Sequence, residues 1–343
     1  NVSSNLIQKI LNLYPRQDEN MIFKSGREGY WSNLSKQENN KFRKILENDG
    51  AKSAVQSVIP QFEDMIYSEK REAALELLDH EKSGICIDFG CMWGVLSTGM
   101  AKRGHEVISI DQTYQSLLFL KKRAEEDNLN NIHIIQDDIK KTKFTDIADY
   151  AIVNGVLEWI PILEEVEVKK FYGKSLHSDV EDSETPSNMQ EQFLKTVFTS
   201  LKEEGKMMLA IENRHGHQYY MGRKDPHANL LFTTFLPRPL SNFISKFFHN
   251  KPYRNYIYSF KDMENMVRSV GFKECETYMC FPDYHFPELI ISYSKQGVLE
   301  YRKYPNENRI TVKQKISYYV EYFIMRYFKA KFFAPAIIIV AKK

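Results

Sequence analysis

The chain lacks the signatures of several protein classes. It has four cysteines in 343 residues, Cys86, Cys91, Cys275 and Cys280, and none forms a C-x-x-C pair. A disulfide framework is therefore excluded, and reduced thiols in a cytoplasmic protein are expected. No secretory leader is expected from the opening residues. The longest apolar run, Phe332 to Ala341, is broken by Pro335 and is far too short to span a bilayer. A net charge of +2 shows no basic excess, so a dedicated nucleic-acid binder is not expected. No internal repeat is visible.

Aromatic residues, by contrast, are abundant: 22 Phe and 20 Tyr. Most must be core, but so many leave some for a cleft or an interface. Residues 1–81 read as mostly helical, with Ser68 to Leu78 the best stretch: Ser68 can cap, and Ala74, Leu75 and Leu78 form a stripe. At Gly84 the texture changes. Short apolar runs at Ile85–Phe89, Val107–Ile110, Ile132–Ile135, Tyr150–Asn154 and Met207–Ile211 predict strands. Helical stretches at Val95–Arg103, Leu117–Asp127 and Gln190–Leu201 lie between them. Alternation at this spacing means an α/β fold with a parallel sheet, and ligands at the carboxyl ends of its strands. Ser259 caps a further helix ending at Gly271. Residues 272–280 and Ala336–Ala341 are strand-like, and Lys313–Lys331 is helical. The acidic, polar stretch Gly173–Asn188 reads as a surface insertion.

The chemistry centres on Asp88-Phe89-Gly90-Cys91-Met92-Trp93-Gly94. A strand runs into a turn whose glycines allow close backbone approach to a ligand, and the next helix aims its positive end there. Asp111 follows Gly90 by twenty-one residues at the end of the second strand, where a carboxylate can accept from both ribose hydroxyls. Asp138, ending the third strand, can take the adenine amino group. A dinucleotide fold would want G-x-G-x-x-G around a pyrophosphate. Here Met92 occupies the second glycine position, which suits a nucleoside carrying an amino-acid tail. A nicotinamide-dependent oxidoreductase is the poorer rival reading. Cys91 has no positioned histidine and reads as inert, and Asp137 reads as a solvated turn carboxylate.

The order Asp88-x-Gly90-x-x-x-Gly94, Asp111, Asp138 resembles the class I S-adenosylmethionine-dependent methyltransferases. Downstream, Asn154-Gly155-Val156-Leu157-Glu158-Trp159, Ala210-Ile211-Glu212-Asn213-Arg214, Asp225-Pro226-His227, Leu236-Pro237-Arg238 and Phe281-Pro282-Asp283-Tyr284 look like one subgroup, similar to enzymes of bacterial surface-glycan and secondary pathways. The resemblance implies a Rossmann-like sheet with a helical N-terminal cap and an inserted substrate subdomain. The expected divisions are 1–81 (cap), 82–212 (donor-binding core), 213–258 (insert) and 259–343 (remainder of the core). It also implies that Asp88, Gly90 and Gly94 line the methionine part of the donor. Asp111 then binds the ribose, Asp138 with Ile139 binds adenine, and Asn154 and Glu158 face donor and acceptor.

The acceptor side rests on weaker signals. Methyl transfer is an in-line displacement that needs alignment and exclusion of water. A hydroxyl acceptor also benefits from a base, and His215 and His217 follow the fifth strand directly. With Glu158 they are the candidate catalytic residues. Glu212, Asn213, Arg214, His227, Arg238 and Tyr284 are the candidate substrate contacts, and the arginines suit an anionic acceptor. No cysteine or carboxylate stands at ligand spacing from the two histidines, so no metal site is expected. The basic, aromatic stretch Lys313–Lys331 fits a membrane surface or a core helix, and the core helix is preferred. The expected function is O- or N-methylation of a sugar, glycan or other small polar acceptor. The alternative is a non-catalytic domain that binds the donor as a partner subunit. Oligomeric state is left open.

Overall fold

The structure is a computed structural model, and it describes residues 2–25, 34–80, 82–162, 185–305 and 311–343. Ten strands form one sheet: β1 (Arg16–Gln17), β2 (Ile22–Lys24), β3 (Ile85–Phe89), β4 (Glu106–Asp111), β5 (Ile132–Gln136), β6 (Ala148–Asn154), β7 (Leu201–Glu212), β8 (Glu274–Phe281), β9 (Leu289–Ser292) and β10 (Ala336–Lys342). Their order is β1-β2-β5-β4-β3-β6-β7-β10-β8-β9. The run from β2 to β7 is parallel, and β10 lies antiparallel between β7 and β8. This is a Rossmann-like, doubly wound sheet. The winding reverses between β3 and β6, so a crevice opens at their carboxyl ends, beside Asp88 and Asn154.

Central strands such as β3 are buried along their whole length, which is why they read as unbroken apolar runs. Helices cover both faces. Helix Val95–Lys102 is buried along most of its length beneath Leu75 and Leu78. Helix Tyr114–Glu126 packs Phe119 against Trp93, edge to face at 5.5 Å, and against Phe42 of helix Lys36–Asp49 at 6.2 Å.

The cap expected over residues 1–81 is not helical throughout. β1 and β2 come from it, and β2 extends the parallel sheet beyond β5. Runs of two and three residues are too short for periodicity to reveal. In the stretch expected to be helical from Ser68, Glu69–Leu78 forms a 3₁₀ helix rather than an α-helix, and Ser68 makes no side-chain cap. The polar insertion read at 173–188 lies outside the described residues as far as residue 184. Thr185 then caps helix Pro186–Ser200, accepting from the Asn188 N–H at 3.3 Å. Residues 213–258 are an irregular segment with one long helix, Arg238–His249. This insert is tied to helix Val312–Phe323, where His217 Nε2 meets Ser317 Oγ at 3.0 Å and His217 Nδ1 lies 3.7 Å from Glu321.

Two predictions follow from this packing. A Cβ on Gly94 would stand 2.1 Å from Leu120 Cδ1, at a φ of +69°. Gly94→Ala should therefore lose about 1–3 kcal/mol to overpacking, read as a lower urea midpoint at unchanged m-value. Burial pushes His217 down to about 4. The folded state then binds fewer protons than the unfolded chain between that value and ~6.5, so stability falls as pH drops through this window. His217→Gln should remove roughly 2–3 kcal/mol of that pH dependence. Equal slopes for the two proteins in urea melts between these pH values would refute the assignment.

Candidate active site

At the end of β3, Asp88 is buried and accepts from Ser97 Oγ at 2.6 Å, while Ser109 donates to Ser97 at 2.8 Å. Its carboxylate points beneath the following helix rather than capping it. Burial outweighs these bonds and raises Asp88 to about 6. Gly90 turns the chain at φ +75°, and a Cβ there would meet Val156 at 2.7 Å. Met92 takes a φ of +46°, where glycine would be easier, with its side chain 46% exposed. Its N–H donates to Asp111 Oδ2 at 2.9 Å, and Thr113 N–H donates to Oδ1 at 2.8 Å. Two backbone amides thus fix the carboxylate, and each oxygen keeps a lone pair for a further donor.

Asp138 accepts from Lys140 N–H at 3.0 Å, with Lys141 Nζ at 3.7 Å, and Ile139 beside it is buried. Asp137, expected to be solvated, anchors the N-terminal segment: it accepts from Tyr14 OH at 3.0 Å and from Ser25 Oγ. Asn154 ends β6 and is half-buried.

Beyond Asn154 the chain turns at Gly155, where a Cβ would strike the Tyr284 hydroxyl at 2.7 Å. That close approach lets Tyr284 reach between two buried acids. Its OH lies 3.4 Å from Glu158 Oε1 and 3.4 Å from Glu212 Oε1. The other oxygen of each acid, Oε2, is buried and without a hydrogen-bond partner. His227 Nε2 lies 3.5 Å from Glu158, and its Nδ1 lies 3.4 Å from Asp225. Asp225 in turn accepts from Tyr253 OH at 2.6 Å. The turn bearing Glu158 is held from behind by Asn255, which donates to the Glu158 carbonyl at 3.2 Å, and by Gln190, which donates to the Leu157 carbonyl at 2.8 Å.

The electrostatics follow from burial and charge. Burial opposes a charge on His227, but Glu212, Asp225 and Glu158 outweigh it and hold its pKa well above the ordinary imidazole range. Asp225 is held below the usual carboxylate range because His227 outweighs its burial. Burial raises Glu212, against the pull of His227, with the charge of Glu158 adding to the rise. Glu158, Glu212 and His227 also offer ligand atoms all within 4.8 Å of one another, the one such trio among the described residues. These groups come from three places in the chain, so spacing in sequence could not reveal the trio.

The structure brings together Glu158, Glu212, His227 and Tyr284, and it separates the other acceptor candidates from them. His217 faces Ser317 and Glu321, and His215 Nδ1 meets Tyr220 OH at 3.0 Å. The histidine against Glu158 is His227, which the sequence reading placed among substrate contacts. Asn213 is fully buried and donates to the carbonyls of Phe332 and Ala334, both at 2.7 Å, so it ties the insert to the C-terminal segment. Arg214 donates to the Leu236 carbonyl at 2.9 Å. Arg238 donates to the Ile257 carbonyl and sits 4.0 Å above the Tyr256 ring. Both guanidinium groups brace the insert.

Two residues escaped the sequence reading. Arg71 is half-buried with its Nε and Nη1 shielded from water and unpartnered, and Tyr284, Asp283 and Asp88 are near enough to act on its charge. Its location in a region read as cap gave no signal. Asp225 was quoted only as part of a motif, yet it organises His227.

Residues 80–229 match the model of a methyltransferase domain family. No curated protein matches the chain. Among solved structures it is similar to the phosphoethanolamine N-methyltransferase 2 of Haemonchus contortus, at 14% identity and TM-score 0.47, over 88% of this chain and 60% of that one. This chain thus spans less than two thirds of that enzyme. It is also similar to a SAM-dependent methyltransferase of Thermotoga maritima, at 11% identity and TM-score 0.42, over 84% and 96% of the two chains. A third is a SAM-dependent methyltransferase of Archaeoglobus fulgidus, at 12% identity and TM-score 0.38, over 88% and 99%. Residues 80–229 thus match a methyltransferase domain, and they carry the central, parallel part of the Rossmann-like sheet.

Proposed function

We propose that the whole chain methylates a small polar acceptor held between Glu158, Glu212 and His227. The observation that carries this is the pair of buried, unpartnered carboxylate oxygens, Glu158 Oε2 and Glu212 Oε2, beside the donor crevice. A buried acceptor atom without a donor is costly, and a substrate hydroxyl would satisfy it.

The residues present fit the donor. Arg71 has two buried N–H groups without partners, which suit the carboxylate of an amino-acid tail. Gly90 gives the tail backbone access, Asp111 has free lone pairs for ribose hydroxyls, and Asp138 with Ile139 stands where adenine would lie. When bound, S-adenosylmethionine supplies an electrophilic methyl group. The chain aligns the acceptor, excludes water and takes up a proton. Glu158 is the base in this reading, with its Oε2 receiving the proton from the acceptor hydroxyl. His227, held by Asp225, lies 3.5 Å from Glu158 and orients it. This revises the expectation that His215 or His217 is the base.

In this reading the reaction is O-methylation of a sugar or similar hydroxyl, which the two unpartnered carboxylate oxygens support. A second reading, an amine acceptor, is favoured by the excess of acid: Glu158, Glu212 and Asp225 surround one imidazolium.

Glu158→Gln should lower kcat by about 10²–10⁴-fold while leaving donor affinity unchanged. Asp111→Ala and Arg71→Met should each weaken adenosylhomocysteine binding by about 1.5–3 kcal/mol, the loss of hydrogen bonds to a charged group. Calorimetry gives the affinities, and methyl transfer to a panel of hydroxyl and amine acceptors gives the rates. Full turnover in Glu158→Gln would end the base assignment. Donor binding without turnover on any acceptor would favour the partner-subunit alternative.

A further inference from the structure

Helix Arg238–His249 is inverted. Its buried residues are Ser241 and Ser245, one turn apart, and Ser241 donates to the Thr233 carbonyl at 2.8 Å. Its apolar residues face outward, with Leu240 44%, Phe243 66% and Phe247 74% exposed. A surface helix normally buries that stripe. Helix Val312–Phe323 repeats the feature. Val312, Ile316, Tyr319 and Phe323, spaced four, three and four apart, are all more than half exposed, while Tyr318 and Glu321 face inward.

A chain of ring contacts runs from the segment just after the second helix to the segment just before the first. Phe332 packs on Phe333 at 4.2 Å, Phe333 meets Tyr220 at 5.3 Å, and Tyr220 stacks on Phe235 at 4.2 Å. Phe235 meets the half-exposed Phe232 at 5.8 Å, one turn before the inverted helix begins. An exposed apolar surface this extensive marks an interaction face.

Charge identifies the occupant. Residues 226–261 contain no aspartate or glutamate. Residues 311–343 contain one, Glu321, which is 3% exposed. Around the bare rings stand the exposed cations Lys246, Lys313, Lys315, Arg326 and Lys329. A second copy meeting this face would set cations against cations. Anionic lipid meets both requirements, since the rings enter the headgroup–acyl boundary while the cations reach phosphate. No helix among the described residues is long and apolar enough to cross a membrane.

We propose that the exposed apolar sides of helices Arg238–His249 and Val312–Phe323, with the cations around them, dock on an anionic bilayer surface. The insert that carries His227 over the acceptor site also carries the first of these helices, so the enzyme meets the bilayer through the element that covers its acceptor.

The test is co-sedimentation of the full chain with vesicles of phosphatidylcholine alone or mixed with phosphatidylglycerol, at low and high salt. Binding should be at least about tenfold tighter to the mixed vesicles, and salt should weaken it. Phe243→Ser with Phe247→Ser should reduce binding about tenfold or more while keeping stabilisation by adenosylhomocysteine. Should that variant misfold, Lys313→Glu with Lys315→Glu carries the test, losing the preference for anionic vesicles. Equal binding to both compositions, no binding to either, or a dimer in light scattering that Phe247→Ser abolishes would overturn the proposal.

Discussion

A charged imidazole buried among three carboxylates is the interaction on which the acceptor side depends. His227 sits between Asp225 and Glu158, with Glu212 close by and all three acids removed from water. Burial of any one of these charges alone would be costly. Together they offset each other, and removing one would leave the rest unpaired in a medium of low polarity. The groups arrive from the turn after β6, the end of β7 and the insert. Their mutual attraction therefore locks the insert onto the sheet at the point where the chemistry is placed.

The donor side is built on a different principle. Asp111 is held by backbone N–H groups of Met92 and Thr113 rather than by an opposite charge. Amides fix the orientation of a carboxylate without neutralising it, which leaves it able to accept from a ligand. The same bond draws the turn after β3 across the end of β4, and Met92 adopts left-handed backbone to make it. Arg71 lies between this half and the other, near Asp88 and near Tyr284. It is the cation that both halves share.

The insert has two faces of opposite character. Inward it presents Asp225, His227 and a pair of serines, and it spends Arg214 and Arg238 on its own carbonyls. Outward it presents aromatic rings. That division explains why its composition is too apolar for a linker although its site-facing residues are polar.

Much of the core was legible because a buried parallel strand leaves an apolar run that needs no tertiary information to recognise. β3 through β7 are visible for that reason, and so are the strand-end carboxylates Asp88, Asp111 and Asp138, since strand ends in such sheets converge on one edge. What the sequence could not rank was the histidines. His215 and His217 stand next to β7 in the chain, but the turn at Asn213 sends one to Tyr220 and the other beneath helix Val312–Phe323. His227, ten residues beyond His217, returns to Glu158 because Asp225 and Tyr253 fold the insert back. Arg71 and the two short N-terminal strands were hidden for the same reason: their partners lie far away in sequence. Local periodicity determined the sheet and the donor edge. The path of an irregular segment, set by long-range hydrogen bonds and buried charge, decided which side chains meet Glu158 and Glu212.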